Sequence, residues 1–138
     1  MKAFVLDASV ALRWFLDESI PPYANGIKRL LMGDARALVP ALWHLEVANT
    51  LVVAERRGVL KAEDVDHALR DIEELLSQAI DTDSALVSVR PATSTARIFA
   101  LSAYDGTYLN LAKREGLPLA TLDEALRAAA KQAGVDIV

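Results

Sequence analysis

Short apolar runs alternate with amphipathic helical stretches along the chain, and the connections between them are brief. Strands alternating with helices in this way pair side by side in a parallel sheet, with the helices packed on its faces. The first strand covers Ala3 to Leu6 and is followed by a helix from Val10 to Leu16, which stops before the turn-forming Ile20-Pro21-Pro22. A helix carrying Ile27, Leu30 and Leu31 ends at Gly33, and a short strand at Ala37-Leu38-Val39 leads through Pro40 into a helix from Ala41 to Arg57, closed by Gly58. Val65, Leu69, Ile72 and Leu76 recur at spacings of four, three and four, which predicts an amphipathic helix over Ala62 to Ser77. The second half continues with a strand at Ala85 to Val89, a helix from Ala92 and another from Gly106 to Arg114 closed by Gly116. A strand at Leu117 to Ala120, a helix at Glu124 to Gln132 and a last strand at Val135 to Val138 complete the pattern.

At 138 residues and 53% hydrophobic composition, the chain reads as one domain over residues 1–138 with a single core. It has no cysteine, so a disulfide framework, a thiolate zinc site and a thiol nucleophile are all excluded. A carboxylate at Asp7 interrupts the apolar amino-terminal stretch too early for a signal peptide, and no charge-free run reaches spanning length. The expected location is the cytoplasm, with no membrane partner.

Four acidic residues occupy positions that an alternating fold gathers at one sheet edge. Asp7 closes the first strand, Asp123 follows the strand Leu117 to Ala120, and Asp105 stands where a helix opens. In open α/β sheets the ligand site lies beyond the carboxyl ends of the strands, where strand order reverses. Glu46 lies inside the helix Ala41 to Arg57, on a partly apolar stripe with Leu42, Asn49, Thr50 and Val53, so its charge has to be protonated, paired or coordinated. Asn49 is placed to support it by a hydrogen bond. Each acid also has a plainer explanation: Asp105, Asp123 and Asp7 are good helix caps, with Ser9 an equal candidate to Asp7, and Glu46 could pair with a nearby arginine. Convergence of all four on one edge favours a site for a hard divalent cation, which takes oxygen ligands.

The formal net charge of −4 argues against a protein that coats nucleic acid electrostatically, yet the four acids account for all of it. Arg13, Lys28-Arg29, Arg56-Arg57 and Lys113-Arg114 are candidates to meet phosphates, although such groups are more commonly solvated helix faces. His44 and His67 lie on separate predicted helices, so the paired acid–base groups needed for 2′-hydroxyl attack are missing. No glycine-rich phosphate loop and no Gly-x-Ser-x-Gly elbow is present.

Four segments together resemble the PIN-domain ribonucleases, and most closely the VapC-type toxins of bacterial and archaeal toxin–antitoxin pairs. They are Val5-Leu6-Asp7-Ala8-Ser9-Val10, Trp43-His44-Leu45-Glu46-Val47-Ala48-Asn49, Ser102-Ala103-Tyr104-Asp105-Gly106-Thr107-Tyr108 and Leu117-Pro118-Leu119-Ala120-Thr121-Leu122-Asp123. The resemblance runs from about residue 3 to residue 137. It implies a three-layer α/β/α sandwich around a mainly parallel twisted sheet of four to five strands. It also implies acidic metal ligands at Asp7, Glu46, Asp105 and Asp123, with Ser9 and Thr121 as polar residues beside them. Gly106 and Asn110 depart from the family pattern, which more often has alanine or another small apolar residue there.

The activity so implied is Mg²⁺-dependent endoribonuclease action, with Mn²⁺ as a possible substitute and cation-activated water hydrolysing the phosphodiester. The implied partners are an RNA substrate, a second copy of the chain in a homodimer, and an antitoxin whose carboxyl-terminal segment covers the acidic pocket. Trp14, Trp43 and the stripe Val65, Leu69, Ile72 and Leu76 are candidates for an interface, with core packing the default. A PIN nuclease of RNA processing, or a non-catalytic RNA- or protein-binding module, are the competing readings.

Overall fold

The first apolar run, Ala3-Phe4-Val5-Leu6, forms the strand β1 (Ala3–Leu6) at the centre of the sheet, with Val5 and Leu6 fully buried. The computed structural model describes residues 2–138. After β1 come α1 (Ala8–Leu16), α2 (Pro22–Met32), β2 (Arg36–Val39), α3 (Ala41–Arg56), α4 (Ala62–Gln78), β3 (Ile80–Thr82), α5 (Val89–Phe99), α6 (Ala103–Glu115), β4 (Leu119–Ala120) and α7 (Glu124–Gln132). The four strands are parallel and lie in the order β3-β2-β1-β4.

That order fixes where a site can form. The chain steps from β1 to β2 to β3 in one direction and then returns to place β4 on the other side of β1. Parallel crossovers are right-handed, so reversing direction moves the connecting helices to the opposite face and yields the α/β/α sandwich. The switch falls between β1 and β4, where Val5 pairs with Leu119 and Leu6 with Ala120. Open α/β sheets place their ligand sites beyond the carboxyl ends of the strands at such a switch, and Asp7 and Thr121 are the next residues on either side.

Trp14 and Trp43 are buried in the core with Phe4, Leu51, Leu109 and Leu126, as core packing required. In the α4 stripe Ile72 is buried and Val65 and Leu76 are partly so, while Leu69 is more open. Gly58 follows α3 with φ +74°, a conformation costly for any residue bearing a Cβ, which is why the helix ends there. Among the described residues no helix is long and apolar enough to cross a membrane.

Two predicted strands are corrected. Ala85 to Val89 is unpaired: Leu86 and Val89 are 97% and 83% exposed, and Val89 already begins α5. The edge of β2 is taken instead by Ile80–Thr82, immediately after α4, and the later apolar run pairs with no strand. The last strand is reduced to one parallel bridge, Leu119 to Ile137, held by the Leu119 N–H to Asp136 O and the Val138 N–H to Leu119 O.

Gly106 and Asn110 share one contact. The Thr95 hydroxyl of α5 donates to Asn110 Oδ1 at 2.7 Å. One turn back, a Cβ on Gly106 would meet the methyl of the same threonine at 3.4 Å, an ordinary contact. Both residues that set this helix apart thus face Thr95.

Candidate metal centre

Asp7 emerges from β1 into the switch-point crevice, its backbone N–H bonded to Ala120 O at 3.0 Å. It precedes α1, but neither it nor Ser9 caps that helix through its side chain. The Ser9 and Thr121 hydroxyls both donate to Asp7 Oδ2, each at 2.7 Å. Their oxygens in turn accept backbone N–H groups from the β4–α7 turn, Ser9 from Leu122 at 3.1 Å and Thr121 from Asp123 at 3.0 Å. Those incoming donors leave each hydroxyl proton to the carboxylate. Asp7 is 4% exposed and Thr121 0%, so this network is shielded from water. Burial drives the Asp7 pKa above the ordinary value; the two hydroxyls oppose the shift, and the charge of Asp123 adds to it.

Glu46 is half-buried on α3, and its partner is not an arginine. The Tyr108 hydroxyl, on α6, donates to Glu46 Oε1 at 2.6 Å. Burial raises the Glu46 pKa, the tyrosine bond opposes this, and the charges of Asp7 and Asp105 push it further up. Asn49 is exposed and makes no hydrogen bond to Glu46 among the described residues, so the expected support does not come from there.

Asp105 is not the cap of its helix. The helix α6 begins at Ala103, earlier than predicted, and Ser102 caps it by accepting the Asp105 N–H at 3.0 Å. The Asp105 carboxyl is thereby left to the crevice, its pKa raised by burial and then by Asp123 and Asp7. Asp123 does cap α7, its Oδ1 accepting the Leu126 N–H at 2.8 Å. Capping engages only that oxygen.

The fold brings all four acids to one edge, where their charges act on one another. Among the described residues no arginine, lysine or histidine forms an ion pair with any of them. Arg13 is committed to Asp17, Arg36 to Asp81, and Arg114 to Asp83 and Glu115. The negative charge is therefore uncompensated, and an oxygen-only donor set of this kind fits a hard divalent cation. Among the described residues, however, no three acidic or histidine side chains are grouped closely enough to hold an ion. The arrangement is electrostatically open to a cation and geometrically wider than a formed cage.

Tyr108 and Ser102 are the neighbours that the residue pattern did not single out. Both had a signal. Ser102-Ala103-Tyr104-Asp105 has the Ser-x-x-acid spacing of a helix start, and Tyr108 lies three residues after Asp105 on the same side of α6. His44 bonds Thr82 Oγ1 at 2.8 Å on the surface, in keeping with a hydrogen-bonded rather than catalytic histidine.

A parallel sheet whose strand order reverses beside a group of carboxylates puts those acids where open α/β domains bind their ligands. Residues 4–132 match the PIN domain, and the chain belongs to that family, whose members are generally nucleases. No curated protein gives a significant match. Among solved structures, the chain is similar to PAE2754 from Pyrobaculum aerophilum, with 23% identity and TM-score 0.70 over 99% of this chain and 84% of that one. It is also similar to FitAcB from Neisseria gonorrhoeae, with 18% identity and TM-score 0.64 over 97% of this chain and 95% of that one. A domain of a functionally unknown protein from Methanocaldococcus jannaschii aligns at 19% identity and TM-score 0.58, covering 100% of this chain and 90% of that one. At these identities the likeness is one of fold.

Proposed function

We propose that this chain is a divalent-cation-dependent endoribonuclease that acts as the VapC-like toxin of a toxin–antitoxin pair, using Asp7, Glu46, Asp105 and Asp123 to hold Mg²⁺ or Mn²⁺. The observation that carries the reading is four neighbouring carboxylates at the switch point, none of which forms an ion pair among the described residues. Such a crevice rejects phosphates until a cation enters, which couples cation binding to substrate binding. When bound, the cation supplies a Lewis acid and an activated water for phosphodiester hydrolysis. Asp7, deepest and held through one oxygen by Ser9 and Thr121, is the central ligand, and the other three complete the site from three separate helix segments.

An antitoxin partner is supported by a second surface. Two adjoining cavities of about 470 and 480 Å³ share Phe15 and Asp71 between the α1–α2 side and α4. Their lining mixes apolar side chains (Trp14, Phe15, Leu31, Leu75) with the carboxylates Glu18, Asp64, Asp71 and Glu74 and the basic Lys28 and His67, a surface that suits an amphipathic segment. Homodimer formation is supported more weakly by the exposed Leu45, next to Glu46 in the sequence, and Val52, two turns further along α3. A cytoplasmic location accords with these partners.

The test is incubation of purified protein with defined RNAs in Mg²⁺, with and without EDTA. Cleavage that EDTA abolishes and the Asp7→Asn variant lacks is the expected result; RNA left intact by the wild-type protein in Mg²⁺ or Mn²⁺ rejects the proposal. The absence of a closed ion cage favours one competing reading, a non-catalytic binding module, which predicts RNA retention without cleavage.

A further inference from the structure

The Tyr108 hydroxyl connects elements that are remote in sequence. It donates to Glu46 Oε1 at 2.6 Å across a separation of 62 residues and so ties the face of α3 to the body of α6.

The two partners of this contact differ in mobility. Tyr108 itself is fully buried, which fixes its ring by packing and makes its hydroxyl a rigid anchor rather than a mobile one. Glu46, by contrast, has several rotatable bonds and, among the described residues, no other side-chain partner. The rigid group therefore sets the position of the flexible one.

We infer that Tyr108 is a positioning residue that holds one carboxylate oxygen of Glu46 and leaves the other free for a divalent cation, thereby setting the cation affinity of the crevice. This rests on the reading of Glu46 as a ligand. Anchoring restricts the carboxylate before the cation arrives, so less order has to be imposed on binding. It also keeps Oε1 engaged, so that Glu46 offers one oxygen rather than two.

The experiment is a double-mutant cycle on Mn²⁺ binding, followed by electron paramagnetic resonance of free Mn²⁺, with Tyr108→Phe, Glu46→Gln and the double variant. Phenylalanine keeps the ring in the core, and urea unfolding of the metal-free proteins verifies the fold. Tyr108→Phe is expected to weaken Mn²⁺ binding by roughly 10-fold, within the range for loss of a ligand's supporting partner. The same change in the Glu46→Gln background is expected to weaken it less than about 2-fold, because the group being positioned no longer serves as ligand. Equal weakening in both backgrounds, or none in either, overturns the inference while wild-type binding leaves the metal reading standing. A wild-type protein that binds no Mn²⁺, or a Glu46→Gln variant that binds it undiminished, overturns the assignment of Glu46 and this inference with it.

Discussion

The Thr121 hydroxyl reaches Asp7 Oδ2 at 2.7 Å from 114 residues away, and it accepts the Asp123 N–H at 3.0 Å on its other side. One side chain thus fixes the central carboxylate and orients the turn that carries a second acid. Replacing Thr121 by Val keeps the shape and removes both bonds. The expected cost is about 1–3 kcal/mol near neutral pH, measured by urea unfolding. Thr121→Ser should recover most of it, and equal losses in the two variants would show that packing, not the hydroxyl, was responsible.

Asp7→Asn removes a buried like charge without changing shape. In metal-free protein this is expected to be neutral or stabilising, because burial and Asp123 already disfavour the ionised form. Cleavage is expected to fall by more than roughly 100-fold, beyond the usual effect of losing a supporting neighbour. Full cleavage by this variant rejects Asp7 as a ligand.

Ser102 and Asp105 separate capping from binding. Ser102→Ala should cost about 1 kcal/mol through loss of the α6 cap, with stabilisation by Mg²⁺ retained. Asp105→Asn should leave metal-free stability nearly unchanged and reduce the rise in melting temperature on adding Mg²⁺. An Asp105→Asn protein that responds to Mg²⁺ like the wild type would remove Asp105 from the ligand set.

The pH dependence of stability has a defined sign. Asp7, Glu46 and Asp105 all have raised pKa values in the folded protein. Between the ordinary carboxyl value, about 4, and the raised one, the folded state binds more protons than the unfolded chain, so stability falls as pH rises through that window. Metal-free protein should therefore become more stable on mild acidification from neutral pH, and saturating Mg²⁺ should flatten the trend. Urea midpoints at several pH values measure it; the same slope in wild-type and Asp7→Asn proteins would count against a contribution from Asp7.

Gly106→Ala places a Cβ at 3.4 Å from the Thr95 methyl, an ordinary contact. Helix propensity then favours alanine, and a gain of about 0.5–1 kcal/mol is expected in thermal unfolding. A loss instead would show that the approach of α5 to α6 depends on glycine.

The strand–helix alternation and the placement of Asp7 and Asp123 after strands were legible in the sequence, because periodicity and turn residues are local properties. The α3 and α4 helices read correctly for the same reason. The run Ala85 to Val89 read as a strand because its residues suit one, but the place beside β2 goes to Ile80–Thr82, which directly follows α4, and the later run stays exposed and unpaired. Capping was the plainer alternative for Asp105, but α6 begins earlier and Ser102 is its cap. Ser9 and Thr121 were expected beside the acids, but which oxygen meets which was not legible: that Glu46 meets Tyr108, and Asp7 meets Thr121, depends on contacts across 62 and 114 residues of sequence. Residue order set the elements and the chemistry available at their ends, through short-range backbone preference and hydrophobic spacing. Only the packed sheet decided which oxygens share a crevice, because strand order and burial arise from the whole chain at once.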